Sequence, residues 1–434
     1  MRKLKTILCI CIVIALIVSL SGVNYCIEIQ SQNYTINWVV KPKYDYAYDF
    51  HEGLARVEKG NKYGYIDRSG REIVELKFDD AEDFKDGMAA VFKDGYWGFI
   101  DNNGHEMVAI KYKSVDDFSE GLASVRILDK KYTSKYGFVN KKGRVIVPIM
   151  YDNVYPFSDG MAAVRKDGKW GYVNQTGKEG VPTIYDDGFP FFSEGLVAVG
   201  KKDNNNKLKY GYVDKLGKQV LEFKYDFARA FSEGLAAINI DNKYGYINKK
   251  GKEVVSLKYD SANEFNEGMA LIEKDGRYGY IDNTGKEAVL PQYTGASVYY
   301  YNGATIVPIS IVNINGEILF KEVLIDKSGN EIIPFKYDEI GFFDGELAQV
   351  NNEGKYGYVD KTGKEVVPVI YDSICPFYEG VAVAVNDKKK FGFVDKKGRV
   401  IIPFEYEHLG QYSEGLAYLK QDGKYGYISL KKIG

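Results

Sequence analysis

Paired carboxylates are the residues of this 434-residue chain whose types could do chemistry. Asp79-Asp80, Asp116-Asp117 and Asp186-Asp187 each offer the two acids that a glycosidase uses. A glycosidase holds its acids about 5 to 10 Å apart in a cleft that gives them opposed pKa values. These pairs instead stand in polar connections just after a recurring Lys-Tyr-Asp signature, so we interpret them as solvated turns.

Histidine and cysteine offer little more. The three histidines fall at unrelated positions of the repeat described below, and two of the four cysteines lie in the N-terminal leader. The chain has no Ser or Cys in a nucleophile-elbow pattern. These observations speak against histidine-centred catalysis, zinc clusters and a disulfide framework. The sequence therefore predicts a protein that is not an enzyme and uses no cofactor or metal.

The N-terminus has the pattern of an export signal. Three basic residues precede an apolar run from Ile7 to Leu20, which is shorter than the roughly 20 residues of a membrane-spanning helix. Ser19 and Ser21 supply the small residues of a cleavage site before Gly22. We predict that residues 1–21 are a signal peptide and that the protein is extracytoplasmic, secreted or at the cell surface. An uncleaved anchor formed by residues 7–20 is the alternative.

The charge balance restricts the possible partners. The formal net charge of −2 becomes about −5 once the three cations of the leader are removed. This balance predicts no binding to nucleic acid, and membrane contact only through the N-terminal segment if that segment is not cleaved.

One pattern recurs eleven times between residue 43 and the C-terminus. Most copies are 34 or 35 residues long, and residues 22–42 form a short segment before them. The copies start at Lys43, Lys77, Lys111, Met150, Ile184, Lys224, Lys258, Gln292, Lys336, Ile370 and Glu405. Self-similarity at such a period is typical of repeat architectures.

Each copy reads as three short antiparallel strands. In the copy from Lys258 to Pro291, apolar runs of four to six residues are separated by tight turns such as Asp282-Asn283-Thr284-Gly285. The fold class is therefore all-β. Eleven units exceed the four to eight blades of a typical propeller, so we expect an open, curved β-solenoid or superhelix of three-stranded units. Shorter, propeller-like closed rings in tandem are the alternative.

An aromatic residue followed by glycine marks the middle strand of ten units. Glycine weakens a strand, so its recurrence requires a packing reason, and we expect an aromatic ring to lie over the bare backbone. The pairs that represent this repeat core are Tyr63-Gly64, Trp97-Gly98, Trp170-Gly171 and Tyr244-Gly245.

These residues resemble the WG repeat family. The aromatic-Gly pair follows a Lys-rich turn, is preceded by Glu/Asp-Gly-Leu/Met-Ala and is followed by Asp-x-x-Gly-Lys and Lys-Tyr-Asp. Trp fills the name position only at Trp97 and Trp170, and the eighth unit lacks the pair. The resemblance implies a repeat-built binding or scaffold protein with no catalytic residue to carry over.

Two functions fit such a repeat protein, a protein-interaction scaffold or a binder of envelope glycans. Exposed name-position rings favour stacking on sugars, whereas buried rings favour the scaffold. Units 3, 5 and 8 carry extra residues between their first two strands, and insertions on one face often mark a binding side. In unit 8 the candidate partner-binding residues are the run Tyr299, Tyr300 and Tyr301 and the hairpin turn Asn315-Gly316.

Overall fold

A computed structural model describes residues 34–312, 318–333 and 336–432, and strands are its only regular elements. Within these ranges no helix is long and apolar enough to cross a membrane. The predicted signal peptide or anchor, residues 1–21, lies outside the described residues.

The strands follow one another in a repeating order that gives eleven antiparallel sheets. In chain order they are β1 Tyr34–Tyr44; β2 Tyr46–His51, β3 Leu54–Lys59, β4 Lys62–Asp67, β5 Glu72–Phe78; β6 Asp80–Ala81, β7 Met88–Lys93, β8 Tyr96–Asp101, β9 Glu106–Tyr112; β10 Ser114–Val115, β11 Leu122–Leu128, β12 Ser134–Asn140, β13 Val145–Tyr151; β14 Asn153–Val154, β15 Met161–Lys166, β16 Lys169–Asn174, β17 Glu179–Tyr185; β18 Asp187–Gly188, β19 Leu196–Lys202, β20 Leu208–Asp214, β21 Gln219–Tyr225; β22 Phe227–Ala228, β23 Leu235–Ile240, β24 Lys243–Asn248, β25 Glu253–Tyr259; β26 Ser261–Ala262, β27 Met269–Lys274, β28 Arg277–Asp282, β29 Glu287–Tyr293; β30 Ala304–Val312, β31 Ile318–Asp326, β32 Glu331–Ile333; β33 Glu339–Asp344, β34 Leu347–Asn352, β35 Lys355–Asp360, β36 Glu365–Tyr371; β37 Ser373–Ile374, β38 Val381–Val385, β39 Phe391–Asp395, β40 Val400–Tyr406; β41 Ala417–Gln421 and β42 Lys424–Lys432.

Each sheet is one blade, and blades 1 to 11 are numbered along the chain. Nine of the described sheets have four strands in sequence order, and two have three. The expectation of three strands per unit is therefore wrong for most units. A short edge strand, only two residues long in most blades, precedes the three long strands and is too brief to show as an apolar run.

Turn chemistry explains the hairpins. In blade 7 the two residues between β27 and β28, Asp275 and Gly276, both have positive φ (53° and 72°), which is the two-residue turn that matches strand twist. After β28, the Asp282 carboxylate accepts hydrogen bonds from the Thr284 and Lys286 amides, and Gly285 has φ 85°. These aspartates hold turns, as the sequence predicted.

The aromatic-Gly pair requires glycine because the backbone of the next strand lies too close for a Cβ atom, and not because an aromatic ring covers the glycine. Between the pairs Tyr63–Phe78 and Tyr65–Val74, β4 has one residue, Gly64, while β5 has three, so β5 bulges toward the glycine. A Cβ on Gly64 would lie 2.5 Å from the Val74 carbonyl oxygen. The same bulge recurs from blade to blade, and the expected ring over bare backbone is wrong for most of these glycines.

The hydrophobic core is divided among the junctions between blades. The described residues form eleven apolar clusters, and each contains side chains from two consecutive blades. At ten junctions the second aromatic of the Tyr-Gly-Tyr-like motif packs on a ring of the next blade, with centroids 4.8 to 6.1 Å apart. These ring pairs are Tyr65–Phe84, Phe99–Phe118, Phe138–Phe157, Tyr172–Phe192, Tyr212–Phe231, Tyr246–Phe265, Tyr280–Tyr300, Tyr358–Phe377, Phe393–Tyr412 and Tyr427–Phe50.

The last of these ring pairs joins blade 11 to blade 1 and closes the array. The N-terminal strand β1 pairs with the C-terminal strand β42 from Tyr34–Lys432 to Tyr44–Tyr425 and becomes the outer strand of blade 11. The open solenoid is therefore wrong, and the closed-ring alternative is the one supported, as a single ring of eleven blades instead of two rings in tandem. In blade 11, β1 occupies the outermost place that a strand such as β5 occupies in blade 1.

Candidate binding surface

The ring has two rims, which differ in the turns that form them. The hairpin rim consists of the turns between the second and third strands of the blades, such as Asp275-Gly276. The glutamate rim consists of the Glu-Gly turns before the second strand, such as Glu194-Gly195, and the Asp/Asn-x-x-Gly turns after the third strand. Lys249 of the second kind of turn lies 3.0 Å from the Glu194 carboxylate of the first kind, so both share one rim.

Carboxylates fasten neighbouring blades along the hairpin rim. Asp152, which stands at the aspartate position of the Lys-Tyr-Asp-like signature, binds Lys135 of blade 3 at 2.6 Å. Its other oxygen accepts from the Asp167 amide of blade 4 at 2.7 Å. The lysine hydrogen bond, its largest cause, lowers the pKa of Asp152. Equivalent ion pairs are Lys62–Asp79, Lys169–Asp186, Lys209–Asp226, Lys243–Asp260, Lys321–Asp338, Lys355–Asp372 and, across the closure, Lys424–Asp45.

Glutamates do the same along the other rim. The Glu52 carboxylate of blade 1 accepts from the Asp86 and Gly87 amides of blade 2 at 2.7 and 2.8 Å. Glu414 of blade 11 accepts from the Gly53 amide, which continues the series across the closure. The paired carboxylates of the sequence also have structural partners: Asp116 accepts from Ser124, and Asp187 from Tyr210. The contacts between consecutive blades stabilise the ring.

No group of three His, Cys, Asp or Glu side chains in the described residues is arranged to hold a metal ion. The thiol of Cys375 is free and half-buried, and burial raises its pKa. The candidates for a functional site are the loops and hairpins that depart from the repeat.

The name-position aromatics are neither fully buried nor well exposed. Tyr63, Trp97, Trp170 and Tyr244 are all half-buried, and each is followed by a buried glycine. Each pairs across its blade with the aromatic of the Lys-Tyr-Asp-like signature, as Tyr244 does with Tyr259. The partial burial of these rings therefore does not decide between the protein-interaction scaffold and the glycan binder. The ring that each blade buries fully is the one two residues later in the sequence.

The enlarged units project from one rim. Their extra residues extend the hairpins β11–β12, β19–β20 and β30–β31, which all end on the hairpin rim. The hairpin of blade 8 is the longest, with nine residues in each strand. The exposed side chains on its second strand include Ile318 at 62 % and Phe320 at 69 %.

The structure separates the predicted tyrosine run. Tyr299 and Tyr301 are 64 % and 52 % exposed, whereas Tyr300 is 2 % exposed and packs edge-on against Tyr280 at 5.0 Å. Tyr300 therefore fills the core position that a phenylalanine holds in most blades. The predicted turn residues Asn315 and Gly316 lie outside the described residues.

Sequence reasoning missed an aromatic group between blades 4 and 5. The rings of Tyr155 and Trp170 lie 5.7 Å apart, and Phe191 meets Tyr155 edge-on at 6.2 Å. Phe191 belongs to a loop that is one residue longer than its counterpart in most blades, and Tyr155 and Phe191 are both exposed. The departure of Tyr-Pro-Phe and Phe-Pro-Phe-Phe from the repeat was the available signal.

Fold and sequence together define the class of protein, an eleven-bladed β-propeller built from one repeat. The model of the WG containing repeat matches eleven times, at residues 33–63, 63–97, 97–132, 136–170, 170–205, 210–244, 244–278, 278–317, 324–356, 356–389 and 391–425. The chain belongs to the WG repeat family, and the resemblance seen in the sequence is confirmed. A search of curated proteins found no sequence match to the chain.

Solved structures give only loose similarities. The extracellular domain of the putative hybrid two component system BT3049 from B. thetaiotaomicron aligns at 11 % identity over 88 % of this chain and 70 % of that chain, with TM-score 0.21. The WD40 β-propeller domain of Doa1 aligns at 12 % identity over 64 % and 91 %, with TM-score 0.25. At such TM-scores these similarities support no inference about function.

Proposed function

We propose that this protein is a non-catalytic, extracytoplasmic scaffold that binds partner proteins through the hairpin rim at blade 8. The observation that carries the proposal is the exposure of Ile318 and Phe320 near the end of the longest hairpin. The exposed Tyr299 and Tyr301 precede the turn Asn302-Gly303, so they lie toward the glutamate rim and are not part of this site. Clustered exposed apolar side chains cost solubility and mark interaction sites. Blade 8 also keeps its rim ion pair, Lys321–Asp338, so its hairpin extends beyond what the junction uses.

The path of the chain supports a hairpin rim that faces outward. Strand β1 ends beside Asp45, which binds the Gly60 amide on the hairpin rim, so its other end, Tyr34, lies toward the glutamate rim. The export pattern of residues 1–21 precedes that end. A retained anchor would therefore hold the glutamate rim toward the membrane and leave the hairpin rim free.

Capture of exported proteins tests the scaffold. The full chain serves as bait beside the double variant Ile318→Thr, Phe320→Ser and the control Leu216→Ser, which removes an 85 % exposed leucine from the glutamate rim. We expect a partner that wild type and control retain equally and that the double variant loses at least tenfold, with unchanged melting temperatures. Undiminished capture by the double variant contradicts the site.

Glycan binding is the second candidate, and the aromatic group of blades 4 and 5 favours it. Tyr155, Trp170 and Phe191 bring three rings together, and the Arg165 guanidinium lies 5.8 Å from the Trp170 centroid. Aromatic rings can stack on the faces of sugars, and a neighbouring guanidinium can donate hydrogen bonds to the sugar hydroxyls.

Affinity electrophoresis in gels containing cell-envelope polysaccharide tests this second candidate. The double variant Tyr155→Ala, Phe191→Ala is compared with Tyr378→Ala, which removes an exposed ring from blade 10. Retardation of wild type and control that the double variant loses supports glycan binding. Equal mobility of all three chains, with and without polysaccharide, argues against it.

A further inference from the structure

One junction of the ring contains a cleft. Between blades 9 and 10 a cavity of about 190 Å³ opens to the surface, and its lining includes Phe342, Asp344, Gln349, Tyr358, Phe377 and Lys396. Pockets for drug-sized ligands measure about 300 to 1,000 Å³, so this cleft accommodates a smaller group. Its size is that of a single large side chain.

The floor of the cleft is a ring that the repeat normally buries. The aromatic at the position that packs against the preceding blade is at most 6 % exposed in nine blades, and these residues include Phe231, Phe265 and Phe343. Phe377 holds the same position in blade 10 and is only half-buried, although Tyr358 still packs against it at 4.9 Å. Tyr412 of blade 11 is the other half-buried ring at this position. Its hydroxyl accepts a hydrogen bond from the Leu430 amide at 3.4 Å, so backbone lies beside it.

Two local departures of blade 9 open this junction. The usual Glu-Gly order becomes Gly345-Glu346, and Glu346 pairs with Lys361 of its own blade at 2.8 Å. In blade 7, by contrast, the Glu267 carboxylate binds the Asn302 and Gly303 amides of the next blade beside the buried ring. Gly341 is the second departure, because it provides no side chain where other blades have Asn263 or Arg229.

The polar groups of the cleft favour an aromatic occupant with a polar edge. Lys396 Nζ lies 5.9 Å from the Phe377 centroid, so a ring placed on Phe377 lies near a cation. The Gln349 amide nitrogen donates to the Ile374 carbonyl at 2.6 Å, which leaves the amide oxygen as an acceptor beside the exposed Asp344 carboxylate. These acceptors suit a phenol hydroxyl or an indole N–H.

We propose that this cleft is the anchor pocket for one tyrosine or tryptophan side chain of a partner protein. Buried aromatic anchors dominate many protein interfaces, and this pocket offers a ring to stack on, a cation above it and acceptors at its edge. The inference rests on the proposed scaffold function but concerns a different surface from the blade 8 hairpin.

Ligand-observed NMR tests the pocket without a natural partner. The full chain, purified from cells that export it, is titrated with N-acetyl-L-tyrosine amide and N-acetyl-L-leucine amide. We expect the tyrosine probe to bind about threefold or more tighter than the leucine probe, because only the phenol stacks and donates.

Two variants with matched controls locate the binding. Gly341→Leu fills the cleft without strain, since a Cβ at Gly341 is 3.5 Å from its nearest neighbour and its φ is not left-handed, and should reduce tyrosine-probe binding at least tenfold. Asn263→Leu, at the same loop position of blade 7, should leave it unchanged. Lys396→Met should bring the tyrosine-to-leucine preference close to one, whereas Lys141→Met, whose cation lies 5.8 Å from the buried Phe118 ring, should not.

Equal binding of the two probes to wild type, or equal tyrosine binding by wild type and Gly341→Leu, overturns the proposal. If Gly341→Leu fails to fold, the Lys396→Met comparison decides alone. Failure of the aromatic pocket leaves the scaffold standing, because the capture experiment with the blade 8 variants tests that function separately.

Discussion

At the scale of the residue, the recurring glycine shows how a sequence pattern can be recognised while its cause is misread. The aromatic-Gly pair predicts a close contact at the middle strand, and Gly64, Gly98 and Gly245 all have one. The partner is the bulged backbone of the next strand, which depends on a register shift that single-sequence patterning does not reveal. The close contact lies at the glycine, and its partner is backbone instead of the expected ring.

The glycine account predicts a large effect from one methyl group. A Cβ at Gly245 lies 2.5 Å from the Val255 carbonyl oxygen, and backbone cannot rotate away as a side chain can. Gly245→Ala should lower the free energy of unfolding by about 2 kcal/mol or more. Gly341→Ala adds the same atom in ordinary contact and should change it by less than about 0.5 kcal/mol. Thermal melts of both variants check this, and similar losses contradict it.

A half-buried acid at the closing junction, Asp49, gives a pH prediction. Asp49 Oδ1 is buried with no hydrogen-bond partner, and burial raises the pKa of Asp49 to about 6, with Asp83 raising it further and His51 lowering it. Because this pKa exceeds the unfolded value of about 3.9, the stability that the acid contributes is complete below about pH 4 and lost as the pH rises through 6.

Replacing this acid with its neutral isostere should therefore stabilise the ring at high pH only. Asp49→Asn should gain about 1 to 2 kcal/mol at pH 7.5 and almost nothing at pH 4. Denaturant unfolding at both pH values measures the difference, and Asp387→Asn, at an exposed loop, serves as the control. A gain of equal size at both pH values contradicts the linkage.

At the scale of the element, the Lys–Asp ion pairs that join consecutive blades, here called clamps, recur more regularly than the loops of the blades. Aspartates from Asp45 to Asp372 bind a lysine of the preceding blade, and that hydrogen bond, the largest cause in each, lowers their pKa values. Acids with depressed pKa values stabilise the fold above their unfolded pKa, and that contribution disappears as the pH falls through the folded values. The ring should therefore lose stability steeply below about pH 4.

One clamp can be removed to test this. Asp152→Asn loses the Lys135 ion pair but keeps an oxygen for the Asp167 amide, so at pH 7 it should cost about 0.5 to 1 kcal/mol. At pH 3 the cost should shrink, because the wild-type carboxylate is then taking up its proton. Melting curves at both pH values measure the two costs. A cost that does not fall at pH 3 would show that the charge is not what matters.

The long strands were predictable at this scale, and the edge strands were not. Met269–Lys274 and Arg277–Asp282 form apolar or aromatic runs bounded by turn residues, which is a strong signal. Ser261–Ala262 is two residues long and pairs only at Ser261–Glu273 and Ala262–Ile272, so it has no period to detect. The candidate site was harder still, since burial of Tyr300 and exposure of Phe377 depend on how two neighbouring blades meet.

At the scale of the whole molecule, the closure of the ring could not be predicted by counting repeats. Eleven copies indicate that each blade needs neighbours but not whether the last meets the first. The decisive contacts join residues almost 400 positions apart, such as the Tyr427 hydroxyl donating to the Tyr48 carbonyl at 2.7 Å. Neither this contact nor the pairing of β1 with β42 follows from the pattern within a single repeat.

The closing strand can be supplied separately, which provides a test of the ring. A chain that begins at Asp45 lacks β1 and leaves the β42 edge unpaired, with Tyr44 and Val40 missing from the junction cluster. We expect it to melt at a clearly lower temperature and to recover when a synthetic peptide of residues 34–44 is added. Trp38 belongs to that peptide. In the closed ring it packs against the apolar cluster between blades 10 and 11, so its fluorescence should report binding.

A proline variant of the peptide is the matched control. Ile36 pairs with Leu430 in the middle of the β1–β42 ladder, and Ile36→Pro removes an amide and should weaken strand addition at least tenfold. In an open array, β1 would be a dispensable terminal strand, and its deletion would leave the melting temperature nearly unchanged. In the closed ring, both ends of the chain depend on one blade, so loss of β1 should weaken the junction of blade 11 with blade 10 as well as that with blade 1.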